Sequence, residues 1–250
     1  MGALVAPLAG WNVRGYSYGE RQEDGQLHPG ADLNVGYGDQ DLGLPVVALA
    51  DGVVVARREW DGRSYGYGNV GLVEHRLGDG GGGDGQAWLW SLYAHLDAFN
   101  ASFMVGAPLQ ASQRLGTCGK SGAQRWAHLH LELRYQGPPE MPLEFWGGRL
   151  APAAMSERYA DPFTVLRLAA FLESMESKDV ARSAGGSMEE PASQPGQADR
   201  EAELVAELAL VRADKDWNFA AKMAFEGCLR DLEGRRRLKR GTVDRLLATV

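Results

Sequence analysis

The chain has 250 residues, enough for one sizeable domain with something smaller beside it. An apolar fraction of 44% and seven Trp suffice for a packed core, and a formal charge of -7 argues against a general nucleic-acid binder, which needs surplus Lys and Arg against phosphate. Cys118 and Cys228 lie far apart in different segments, without the close Cys pairs of a Cys₂His₂ site, and are expected as unpaired thiols.

The first ten residues, Met1 to Gly10, are apolar but short and lack a basic leading region, so they do not read as a signal peptide. A truncated start, a protein released by lysis and a cytoplasmic protein all fit that beginning. No apolar run approaches the roughly 20 residues of a membrane-spanning helix. From there to about residue 165, glycines punctuate short runs rich in Val, Leu, Tyr and Trp, the pattern of β structure. Residues 44–49 and 53–56 are two such runs, with Asp51-Gly52 between them as a tight-turn signal. Asn69 to His75 is a further strand. Gly78 to Gly85 reads as a flexible hairpin tip and Ala87 to His95 as the returning strand. No long helical pattern separates these strands, which predicts a mainly β domain with antiparallel, sandwich-like sheets rather than βαβ units.

From Asp161 to about Lys178 the period becomes helical. Phe163, Leu166, Leu168, Phe171 and Leu172 carry the apolar face, Asp161 is the N-cap and Pro162 takes the first helical position. Residues 183–199, rich in Gly, Ser, Pro, Glu and Gln, read as a linker. Residues 201–250 read as a small helical segment, with stripes at Leu204, Leu208 and Val211 and at Trp217, Ala221, Phe225, Cys228 and Leu232. The basic run Arg235 to Arg240 is expected as a solvated charged turn rather than a dock for an anionic polymer. The predicted organisation is therefore a domain over 1–182, a linker over 183–200 and a helical region of unassigned role over 201–250.

Four of the five histidines fall in three short motifs: His28-Pro29-Gly30-Ala31-Asp32, Tyr93-Ala94-His95-Leu96 and His128-Leu129-His130-Leu131-Glu132. Alternate side chains of a strand share a face, so His128, His130 and Glu132 point one way and Leu129, Leu131 and Leu133 the other. With the leucines toward a core, the histidines face a cleft. The same alternation puts Tyr93 and His95 on one face. Gly30 permits a tight bend through which His28 and Asp32 converge. A catalytic zinc takes three His or carboxylate ligands and keeps one position open for water, and these motifs supply three such ligands with two histidines left for proton transfer. His75 beside Glu74 is expected as an ordinary satisfied residue, and Tyr93 as packing more than as a buttress of the site.

These motifs resemble the lysostaphin/LytM-type zinc metallopeptidases, family M23. The family patterns are H-x-G-x-D, a Y-x-H-L strand, and H-L-H after a Gly/Ser-rich turn. They stand here at His28 to Asp32, Tyr93 to Leu96, and Gly116 through Leu131. Asp32-Leu33-Asn34, residues 43–48, Asp51 to Val54 and Ala160-Asp161-Pro162 resemble the connecting text of the family, so the likeness runs over about 10–165. It departs at Trp126-Ala127, where relatives carry small residues and Pro, and at the long Gly78–Gly85 loop; both are expected to border a substrate groove.

The resemblance implies a fold of the duplicated hybrid motif type and one Zn²⁺ held by His28, Asp32 and His130. It implies His95 and His128 as an unligated catalytic pair, one taking a proton from water and the other stabilising the oxyanion, in an order the sequence leaves open. It implies a zinc-dependent endopeptidase acting on peptide bonds of bacterial peptidoglycan, cross-links or stem peptides, and a location outside the cell or in its envelope. No nucleic-acid partner is expected. Two other classes weigh against it: a non-catalytic LytM-like wall binder or activator, which the intact set of five residues disfavours, and a phosphocarrier domain, which the H-x-G-x-D motif disfavours.

Overall fold

A computed structural model of the chain describes residues 4–13, 15–63, 66–79 and 86–166. The predicted linker and the helical region over 201–250 lie outside these residues, as do the tip residues 80–85. In chain order the strands are β1 (Asn12–Val13), β2 (Ala31–Asn34), β3 (Pro45–Val47) and β4 (Gly52–Arg58). Then come β5 (Asn69–Asp79), β6 (Gln86–Leu96), β7 (Ala98–Phe99) and β8 (Pro108–Leu109). β9 (Arg114–Thr117), β10 (Leu129–Arg134) and β11 (Tyr159–Ala160) complete the strands, and a short helix, α1 (Pro152–Ser156), precedes β11. Eight strands form one sheet in the order β1-β2-β10-β6-β5-β4-β8, with β11 also paired to β10, and β3-β9-β7 form a second. Every strand pairing among the described residues is antiparallel, as the sequence predicts.

β10 is the spine of the large sheet. All six of its residues are buried, and it borders β6 on one side and β2 and β11 on the other. The register pairs His130 with Asp32 and Ala94, Glu132 with Leu92, and Leu131 with Ala31 and Tyr93. Residues directly opposite share a face. One face therefore carries Asp32, His130 and Glu132 beside Leu92 and Ala94. The other carries Leu129, Leu131 and Leu133, all fully buried, together with Tyr93. Residues 69–75 and 87–95 form the central hairpin as expected.

Two local expectations are corrected. Asp51-Gly52 is not a hairpin turn, because β3 and β4 enter different sheets and do not pair with each other. The Asp51 carboxylate instead accepts Ala111 N at 2.8 Å, tying the crossover to the segment after β8. Gly30 is needed for a close approach rather than a special bend. A Cβ there would lie 2.3 Å from the Leu131 carbonyl oxygen, which blocks any side chain where β2 meets β10. The predicted cap holds: the Asp161 carboxylate accepts Phe163 N at 2.9 Å and Thr164 N at 3.3 Å, and residues 162–166 are helical. The remainder of that predicted helix lies outside the described residues.

Candidate active site

β2, the segment leading into it and β10 bring His28, Asp32 and His130 together as a buried cluster. His28 Nε2 lies 2.9 Å from His130 Nδ1 and 3.2 Å from Asp32 Oδ1, and His130 Nδ1 lies 3.1 Å from the same oxygen. The three atoms make a triangle about 3 Å on each edge. Tetrahedral zinc with ligands at about 2.0–2.1 Å needs edges of roughly 3.3 Å, so the triangle matches one face of such a site.

The chemistry of the donors fits a cation as well. The His130 Nε2–H points at Glu132 Oε1, 3.0 Å away, which leaves a lone pair on Nδ1 facing the triangle. That lone pair, a carboxylate oxygen and His28 Nε2 converge on one point, an arrangement that demands positive charge between them. The electrostatics agree. Burial pushes the Asp32 carboxyl upward, but His28, the hydrogen bond from His130 and the His128 charge outweigh it and hold the group well below the usual carboxylate range. Burial likewise opposes protonation of His130, yet its hydrogen bonds to Asp32 and Glu132 raise it to about 9. A bound metal would replace that proton.

His95 and His128 stand beside the triangle. Their rings are 4.7 Å apart, and the His95 ring centre lies 5.7 Å from that of His130. His128 Nε2 comes within 3.6 Å of Asp32 Oδ1. Each ring is held through Nδ1 by a backbone carbonyl of the 119–128 segment: His95 by Ser121 at 3.0 Å, His128 by Trp126 at 3.0 Å. These bonds fix Nδ1–H as the donor and leave Nε2 of each ring for chemistry. Burial, and then the neighbouring charges of His128 and His130, hold His95 well below the ordinary histidine range, so it is neutral and able to accept a proton. The loop is itself clamped, since Asp39 accepts both Lys120 Nζ at 2.5 Å and Ala127 N at 3.1 Å.

His95 reaches the site by a different route from the one its spacing suggests. β6 carries a bulge, with Ala94 and His95 opposite the single residue Val70 between the pairs Tyr93–Gly71 and Leu96–Asn69. His95 sits there with φ 61°, a left-handed conformation rare outside glycine. The kink turns its ring onto the face of His130, while Tyr93 stays on the leucine face. The Tyr93 hydroxyl there accepts Leu49 N at 2.9 Å and meets Ser91 Oγ at 2.9 Å. The shared face expected for Tyr93 and His95 is thus corrected, and Tyr93 does not touch the cluster. His75 is satisfied, as expected: it is buried, with Nδ1 on Asp51 O at 2.9 Å and Nε2 on Ser91 Oγ at 2.6 Å.

The cluster lines a groove of about 1080 Å³ whose wall includes Tyr16, Tyr37, Trp60, Trp126, Trp146 and Arg149. Trp126, half exposed, does border it as the sequence suggests. Three residues with no assigned role in the sequence also surround His130. Glu132 takes its outer nitrogen, Arg134 binds Glu132 Oε2 at 2.7 Å, and the Tyr67 hydroxyl donates to Glu132 Oε1. Glu132 was legible only as a member of the His130 face, and nothing in the spacing signals Tyr67.

A mainly antiparallel β protein with a His/Asp/His triangle and two adjacent histidines has the donor set of a metallopeptidase. Residues 26–142 match the model of Peptidase family M23, which supports membership of that family. The DD-carboxypeptidase/endopeptidase Mpg of Neisseria meningitidis serogroup B is 32% identical over 118 residues, 47% of this chain and 22% of that protein. The murein hydrolase activator EnvC of Escherichia coli K12 is 33% identical over 153 residues, 59% of this chain and 31% of its own length. The chain thus spans less than a third of the length of these curated relatives. Among solved structures, the catalytic domain of lysostaphin from Staphylococcus simulans is 24% identical, with 61% of this chain and 90% of that chain covered and a TM-score of 0.40. The catalytic domain of the prophage-encoded M23 protein EnpA from Enterococcus faecalis is 28% identical, with 52% and 85% covered and a TM-score of 0.39. No helix among the described residues is long and apolar enough to cross a membrane.

Proposed function

We propose that this chain is a zinc-dependent endopeptidase that hydrolyses peptide bonds of bacterial peptidoglycan. The observation that carries the proposal is the convergence of His28 Nε2, Asp32 Oδ1 and His130 Nδ1 within hydrogen-bond distance of one another, with two histidines anchored beside them. These three residues would hold the ion. Zinc, when bound, polarises a scissile carbonyl and acidifies water. The protein does the rest. His95, neutral and fixed by Ser121, accepts a proton from water through Nε2 and returns it to the leaving amine. His128, fixed by Trp126 and less buried, offers its Nε2 to the developing oxyanion. The groove beside them accepts an extended peptide. The likeness to the DD-carboxypeptidase/endopeptidase Mpg and to the murein hydrolase activator EnvC supports a peptidoglycan substrate and a site of action at the cell envelope.

The likeness to EnvC favours one second reading, an activator of other wall hydrolases without turnover of its own. Purified sacculi decide between them. Release of new peptide ends with intact glycan strands, stopped by a zinc chelator and restored by zinc, supports the endopeptidase. A protein that binds one zinc yet releases nothing from several wall types supports the activator.

A further inference from the structure

An imidazole has two nitrogens, and the one it presents to a metal is decided by what holds the other. In the triangle the two histidines differ in this respect. The outer nitrogen of His28, Nδ1, is buried and has no hydrogen-bond partner among the described residues. The outer nitrogen of His130 lies 3.0 Å from the carboxylate of Glu132. Glu132 and Arg134 are fully buried, and Tyr67 nearly so.

That carboxylate is held at both oxygens. Oε1 accepts the Tyr67 hydroxyl as well as His130, and Oε2 accepts Arg134 Nε at 2.7 Å. The guanidinium spends its remaining hydrogens on the segment after β10. Nη1 donates to Met141 O at 3.1 Å and Pro142 O at 2.9 Å, and Nη2 donates to Phe145 O at 3.0 Å and the Tyr67 hydroxyl at 3.3 Å. Arg134 thereby supplies the countercharge that lets a buried carboxylate stay ionised. It also links His130 to the stretch leading into Trp146, whose ring stands 5.9 Å from His130 and lines the groove. Glu132 and Arg134 reach no solvent, while Tyr67 lines the groove.

We propose that Glu132, locked in place by Tyr67 and Arg134, is the positioning residue for His130: it fixes the tautomer and ring orientation that aim Nδ1 at Asp32 and His28, and so sets the affinity of the triangle for zinc. This rests on the zinc reading above and assigns Tyr67, Glu132 and Arg134 a task beyond packing. Glu132 touches neither the substrate groove nor the point where the donors converge; it acts through His130 alone. Carboxylates in this relation to a ligating histidine are worth roughly 10–100-fold in metal affinity.

The test is zinc affinity of the full chain, measured by competition with a chromophoric chelator and read beside the melting curve of the chelated protein. Glu132→Gln keeps the shape and an acceptor oxygen but removes the charge. It is expected to weaken zinc binding about 10–100-fold. Because it strands the Arg134 charge, the double variant Glu132→Gln, Arg134→Met is made alongside and is expected to show the same loss with a cooperative melt. Tyr67→Phe keeps every aromatic contact and removes one donor to the carboxylate, and is expected to give a smaller loss in the same direction. Folded variants that all bind zinc within about twofold of the parent would overturn the proposal while leaving the zinc site intact. A parent protein that binds no zinc would overturn the zinc reading itself.

Discussion

His95→Asn separates the proton-transfer role from metal holding. Asparagine tolerates the left-handed backbone at this position better than other residues do, so the φ of 61° is retained without added strain. Its side-chain amide can still donate to Ser121 O, the bond that His95 Nδ1 makes at 3.0 Å. What disappears is Nε2 and nothing else of consequence. His95 is not a vertex of the triangle, so zinc content stays at the parent level. Loss of a general acid–base lowers turnover by about 10²–10⁴-fold, or about 2.7–5.4 kcal/mol on the barrier. Dye release from labelled sacculi gives the rate, and elemental analysis of the dialysed protein gives the zinc. His130→Ala is the contrast, since it removes a vertex and both readings fall together. The reasoning fails if folded His95→Asn loses its zinc, which would make His95 a ligand, or if it keeps more than about a tenth of the parent rate.

Other outcomes follow from groups away from the metal. Tyr93→Phe leaves Leu49 N–H buried without its acceptor and should lower stability by about 1–3 kcal/mol in urea titration. Its zinc content and rate should match the parent, because Tyr93 faces the leucine side of β10; a selective loss of rate would return it to the site. Burial holds His75 below the usual histidine value, so below about pH 6.5 the unfolded chain takes up a proton that the folded one refuses. The stability from neutral His75 is thus complete above that pH and is lost as pH falls through the depressed folded value, with a slope of at most about 1.4 kcal/mol per pH unit. His75→Gln should flatten the fall of the urea midpoint between pH 7 and 5, and an unchanged slope would count against it. All described strands lie within residues 12–160, so a chain ended at residue 182 should keep a cooperative melt and its zinc; a molten product would place residues 183–250 in the core.

Much of the site was legible because strand alternation is strict where a strand is regular. β10 obeys it, so one glance at His128, His130 and Glu132 gives their common face and the opposing leucines. β6 does not. A single bulge at Ala94–His95 reverses the parity, and period-two reasoning then puts Tyr93 on the wrong side. No local residue pattern announces a left-handed histidine. The turn at Asp51-Gly52 failed for a related reason: its composition suits a hairpin, but which sheet each flanking strand joins is decided by partners elsewhere in the chain, β9 for β3 and β5 and β8 for β4. The hold of Tyr67 on Glu132 spans 65 residues and leaves no trace in spacing at all.

The triangle is closed by side chains 102 residues apart in the chain. No fragment that ends before β10 contains more than two of its three donors, and none of the donors is brought to the others by a local turn except His28 to Asp32. Tight metal capture is therefore available only to a chain that has already laid β10 between β2 and β6, the last insertion into the middle of the sheet. On the zinc reading proposed above, the ion would not act as an early organiser during synthesis. It would arrive as a seal on a finished fold, and the gain of zinc by a refolding chain would be a clock for the moment at which the sheet closes.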